Sequence, residues 1–137
     1  LRLWMQGRRH LPIRRDVSQL RVEGEGGRIE HSELTYGGEG LIMVGQEGAP
    51  GDPRAWKSLM QSPASLGGAN TQTLMLFVDD ADAHCAHARA AGARIVEEPA
   101  THDYGEDYWA DRSYGVLDLE GHMWWITQRV RDPIPKP

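Results

Sequence analysis

"LMLFVDDADAHCAHARAAGARIVEEP", residues 74–99, changes its hydrophobic rhythm twice in a short span. The opening apolar run, bounded by acidic residues, suits a β-strand. Asp79, Asp80 and Asp82 then supply an N-cap and an acidic first turn, where unpaired backbone N–H groups and the helix dipole favour carboxylates. Ala81, Cys85, Ala88 and Ala91 recur at helical spacing, giving a face of small side chains able to lie close against a sheet. Cys85 on that face reads as a buried, inert thiol. Gly92 is a natural helix stop, and "ARIVEEP" returns to a short strand that Pro99 is expected to end.

Working toward the C-terminus, "ATHDYGEDYWAD" reads as a loop, and "RSYGVLDLEGHMWWITQRV", residues 112–130, as two strands joined by a tight acidic-Gly turn. Residues 71–130 therefore run strand, helix, strand, strand, strand. Toward the N-terminus, "VSQLRVE" and "RIEHSELTY" alternate apolar and polar residues on either side of "GEGG", and "GGEG" turns into the apolar run "LIMVG". That is a three-stranded antiparallel meander. Residues 46–71, rich in Gly, Pro, Ser and Ala, form a long connection with one helical turn around Trp56 to Met60. Residues 1–16 resist assignment: "LRLWM" allows a short strand, and Pro12 interrupts any helix after it.

The chain of 137 residues, 39% hydrophobic and 26% charged, has the composition of one soluble globular domain. Its net charge of −5 offers no general affinity for nucleic acid or anionic membranes. Arg2, Arg8, Arg9, Arg14 and Arg15 crowd the first 16 positions, which reads as a solvated terminus in preference to a phosphate-binding arm. One cysteine excludes an internal disulfide framework and fits a reducing compartment. There is no apolar stretch long enough for a membrane span and no signal-peptide pattern at the start, so a cytoplasmic location is expected.

"LMLFVDDADAHCAHARAAGARIVEEP" followed by "DRSYGVLDLEGHMWWI" resembles the glyoxalase / bleomycin-resistance / extradiol-dioxygenase (vicinal oxygen chelate) superfamily, and "RIEHSELTYGGEGLIMVG" resembles the last two strands of that family's other half. The resemblance implies an α+β fold of paired βαβββ modules whose curved mixed sheets enclose a cavity. The expected organisation is an incomplete N-terminal module at 1–48, a linker at 49–70, a C-terminal βαβββ module at 71–130 and a tail at 131–137. Residues before Val17 leave no room for a full strand and helix, since a crossover unit needs about 10–12 residues. A first module so shortened leaves a sheet edge to cover, so a homodimer is expected, with exchange of the N-terminal segment as one route to it.

Enzymes of the superfamily hold a divalent metal with His and Glu side chains from the first and a late strand of each module. Carried over, that pattern matches Glu33 in "HSELTYG" but places Thr73 and Trp125 at the second module's positions. Threonine is a weak neutral ligand, and an indole N–H only donates. His31, two residues from Glu33 on the same strand face, keeps a two-ligand metal site near Glu33 and His31 open as the alternative to no cofactor. Among the other histidines, His84 and His87 are expected to face solvent, His122 to be structural, and His10 and His102 to sit in loops.

Alternation then names a pocket lining. With Thr73 inward, Met75 and Phe77 follow, while Leu74, Leu76 and Val78 face the helix; with Trp125 inward, Met123 and Thr127 follow, with Trp124 and Ile126 behind. His31 and Glu33 approach from the other half, and the loop carrying Tyr104, Tyr108 and Trp109 can close the mouth. The same aromatics can equally be core filling. Three functions stay open, with enzymatic activity undecided and the binder preferred. One is a metal-free binder of a small aromatic or cationic molecule, as antibiotic-sequestering relatives are. The second is a metal-dependent lyase, isomerase or dioxygenase. The third is a fold remnant without a ligand.

Overall fold

The computed structural model describes residues 17–27, 29–36 and 40–135. Strands β1 (Val17–Glu23), β2 (Ile29–Tyr36) and β3 (Gly40–Val44) form an antiparallel sheet in the order β1-β2-β3. The glycine-rich turn between the first two is a 3-10 turn, Glu25–Gly27, with Gly26 and Gly27 at φ 70° and 77°. That left-handed backbone is what glycine supplies at no steric cost. The short strand allowed at "LRLWM" and the arginine-rich segment lie outside the described residues, while β1–β3 fall within the expected first module at 1–48.

The second half holds β4 (Leu74–Phe77), α1 (Ala81–Ala90), β5 (Arg94–Asp103), β6 (Ala110–Leu117) and β7 (Met123–Arg131). Its sheet runs β4-β7-β6-β5, with β4 parallel to β7 and the remaining pairs antiparallel. The fold is α+β, with two sheets and one described helix, and the sheets do not close into a barrel. Asp80 caps α1 by accepting a hydrogen bond from the Ala83 N–H at 2.9 Å. Gly92, at φ 86°, ends it, while the next N–H, of Ala93, donates back to the Ala88 carbonyl. The small-residue face does what its pattern implies. Ala81, Cys85 and Ala88 are at most 1% exposed and pack with Leu76, Val78, Tyr114, Val116, Trp124 and Ile126.

Three expectations need correction. The first strand of this half begins at Leu74, so Thr73 lies ahead of it and is exposed. The strand after the helix does not end at Pro99 but continues to Asp103, which shortens the loop that follows. Proline is tolerated because β5 is the sheet's edge, and its pairing with β6 slips between Glu97 and Ala100. His84 does not face solvent. It stands three residues from Ala81 and four from Ala88, hence on the same face of the helix, and is buried. His87 is half-buried, with its Nε2 enclosed and without a hydrogen-bond partner among the described residues.

The long connection is ordered by its own contacts. Gly48 N–H donates to the Met60 carbonyl at 2.9 Å, and the Glu47 carboxylate accepts from Ser62 N–H and Ser65 Oγ. Asn70 then ties the connection to the β6–β7 turn, accepting from Met123 N–H and donating to the Gly121 carbonyl, both at 3.0 Å. Tyr36 Oη, at the end of β2, donates to the Phe77 carbonyl of β4, and Tyr36 and Ile42 pack against the main core. The three-stranded sheet is thus joined to the second half beside β4.

Candidate functional site

Strand alternation divides the four-stranded sheet into two unlike faces. Leu76, Tyr114, Trp124 and Ile126 turn toward α1 and are buried. The opposite face carries Met75 paired with Trp125 and Phe77 paired with Thr127. Met75 is 59% exposed and Phe77 36%, large apolar side chains left uncovered, while Trp125 and Met123 are half-buried. Gly115, opposite Trp125, leaves a gap in this face that the Met123 methyl fills, only 2.5 Å from where a Cβ would stand. The floor is therefore aromatic and thioether-lined, with the adjustable side chain of Met123 at its centre.

At one end the floor becomes polar. Asp111, Ser113 and Thr127 are all buried there, unusual for side chains on the face away from the core. Arg129 Nε donates to Asp111 Oδ1 at 2.5 Å, and its guanidinium lies 5.3 Å from the Phe77 ring centre and 5.8 Å from that of Trp109. Tyr104 and Tyr108 pack on Trp109 in turn, with ring centres 5.1 and 6.2 Å away. Arg131 holds the base of this loop through Asp103, whose carboxyl it pulls down to about 2. Thr127 Oγ1 is buried and has no hydrogen-bond partner among the described residues. Asp111 and Arg129 were legible only through the hairpin register, which pairs them across β6 and β7.

The residues named from sequence fall into three groups. Met75, Phe77, Met123 and Trp125 share the open face of the four-stranded sheet, with Trp109 at its polar end. Thr73 is outside the strand. His31 and Glu33 lie on the other sheet, 3.1 Å apart, on the β2 face shared with Leu20, Val22 and Met43. Those three neighbours are 53%, 46% and 65% exposed, so this too is an uncovered apolar face. His31 and Glu33 bond to each other, and among the described residues no three His, Cys, Asp or Glu side chains gather as a divalent ion requires.

A separate hollow of about 590 Å³ lies at the far end of the sheet, between the α1–β5 turn, the β6–β7 turn and residues 64–68. Alanine, glycine and backbone dominate its lining, and its one cation and nearby carboxylates are Arg94, Asp118 and Glu120. Asp118 is committed to the turn, accepting from Glu120 N–H, His122 N–H and Trp124 Nε1.

Two comparisons place this geometry. A family model described as Glyoxalase/Bleomycin resistance protein/Dioxygenase superfamily matches residues 11–126. The chain belongs to that superfamily. Among solved structures, TioX from Micromonospora sp. ML1 is 30% identical, with a TM-score of 0.56 over 85% of this chain and 80% of that one. The hypothetical protein SA1046 from S. aureus shares 14% identity at a TM-score of 0.52, covering 82% and 76% of the two chains. A glyoxalase/bleomycin resistance protein/dioxygenase from Alicyclobacillus acidocaldarius shares 8% at 0.51, covering 83% and 74%. The last two bear on the fold alone. No curated protein matches the chain.

Proposed function

We propose that this chain is a metal-free small-molecule-binding member of the superfamily, acting as a homodimer that captures an aromatic or cationic compound on the open face of the four-stranded sheet. The observation that carries the reading is the set of Met75, Phe77, Met123 and Trp125 on one sheet face, with Met75 and Phe77 uncovered although they are large and apolar. Burying such side chains is worth about 1.5–3 kcal/mol each, so a folded domain leaves several together mainly where a ligand or partner covers them. The apolar β2 face around His31 and Glu33 supplies a second wall when two copies meet, and Glu33 would then offer a carboxylate to a cationic ligand. A metal-dependent enzyme needs donors that the described residues do not assemble.

The test is a thermal-shift screen of planar aromatic and cationic compounds against wild type and Trp125→Ala, with metal analysis of protein purified without chelator. Stabilisation by aromatic compounds that Trp125→Ala abolishes supports the binder. Stoichiometric Ni, Zn, Fe or Mn that disappears in Glu33→Ala would overturn the metal-free reading. A fold remnant would show no shift with any compound and no metal.

A further inference from the structure

Resting on that reading of the open face, we propose that Arg129 is its specificity-determining residue and selects a flat aromatic ligand bearing a neutral oxygen acceptor such as a ring carbonyl. The guanidinium lies 5.3 and 5.8 Å from the Phe77 and Trp109 ring centres and donates its Nε–H to Asp111, so two rings and one carboxylate hold its position. Arginine held in this way is pre-organised, and its remaining N–H groups point from a set place. Among the described residues only Nε–H makes a hydrogen bond; Nη1 sits 3.6 Å from Asp132, an exposed carboxylate too far for one. Donor capacity is therefore left over at the polar end of an aromatic floor.

Charge decides which acceptor suits it. Asp111 is 5% exposed and balances Arg129 at contact distance, and the solvated Asp132 carboxylate stands 3.6 Å from Nη1, so this end presents donors without net positive charge. A ligand cation would meet a carboxylate that is buried and already engaged. A ligand anion would find its attraction to Arg129 largely offset by Asp111 behind it. A neutral carbonyl costs little to desolvate and gains charge-assisted hydrogen bonds from the guanidinium.

The experiment uses three probes of one ring shape: fluorenone, fluorene and the fluorenyl ammonium ion. Each is measured by equilibrium dialysis against the full chain. Removing Arg129 alone would strand a buried carboxylate, so the variants are Arg129→Lys, which keeps the charge and loses the flat fork, and the double variant Asp111→Asn with Arg129→Met, which removes the pair together. Folding of each is checked by circular dichroism. Wild type is expected to bind fluorenone at least tenfold more tightly than fluorene or the ammonium ion, and in both variants the ratio of fluorenone to fluorene affinity is expected to fall to about one. Equal binding of fluorenone and fluorene by wild type, both lost in Trp125→Ala, would overturn the role of Arg129 and leave the open-face site standing. Preference for the ammonium ion would do the same. Binding of none of the three would overturn both.

Discussion

A histidine inside an apolar core must stay neutral for the core to hold. His84 is 7% exposed, its Nδ1 lies 2.7 Å from Tyr114 Oη, and burial, with His87 nearby, brings its pKa down to about 4. Burial likewise raises the Tyr114 hydroxyl, so both partners are neutral and share one hydrogen bond. Unfolded, the imidazole titrates near 6.5. Between those two values the unfolded chain binds more protons than the folded one. Stability therefore falls as pH drops through about 6.5, and the loss levels off below about 4, where the folded imidazole also protonates. The full effect amounts to ~3 kcal/mol. Urea denaturation of wild type and His84→Leu at pH 7.5 and 4.5 reads it: the variant is less stable at the higher pH but loses less stability on acidification. Equal acid losses in the two proteins would show that His84 is not the titrating group.

At the scale of elements, Asp118 is the side chain that closes the β6–β7 turn from within, as Asn70 holds it from outside. Asp118 accepts from two backbone N–H groups of its own turn and from the Trp124 indole, orienting the ring that leads into the core. With Gly121 at φ 84° completing the turn, Asp118→Ala is expected to cost ~2 kcal/mol, and Asp118→Asn less than half of that because the amide oxygen still accepts. Denaturant midpoints measure both, and an alanine variant as stable as asparagine would show the turn closes without the side chain. Elements of this kind were readable from sequence because their causes are local: the Asp80 cap, the small face of α1, the Gly92 stop and the alternation in β2 and β7. What was not readable depends on neighbours distant in sequence. Pro99 ends a strand only if that strand is interior, and edge position follows from the order of the whole sheet. The burial of His84 depends on how closely α1 lies on the sheet, and the pairing of Arg129 with Asp111 depends on the hairpin register running unbroken from the β6–β7 turn as far as those two residues. The floor residues shared a strand period and could be listed in advance. The polar end, built from two strands and a loop, could not.

For the molecule as a whole, the question is what covers the β2 face. Leu20 and Val22 of β1, and Leu41 and Met43 of β3, flank His31 and Glu33 on one side of the three-stranded sheet, and all four are between 46% and 65% exposed. The opposite side of that sheet is already used, since Tyr36 and Ile42 pack on the core beside β4. A monomer would thus carry two apolar faces, this one and the Met75–Trp125 floor, each larger than isolated surface residues account for. Pairing two copies so that the β2 face of one opposes the floor of the other covers both at once and repeats by two-fold symmetry, so that it closes at a dimer. It also brings Glu33 of one chain to the site of the other. The expectation is a dimer at micromolar concentration by light scattering. Leu20→Glu with Met43→Lys should yield a folded monomer, because both positions face solvent in the single chain and such exchanges there cost about 0.5 kcal/mol or less. The same variant should lose ligand binding although neither residue lies on the floor. A wild-type monomer, or a monomeric variant that binds as well as wild type, would show that one chain completes the site alone.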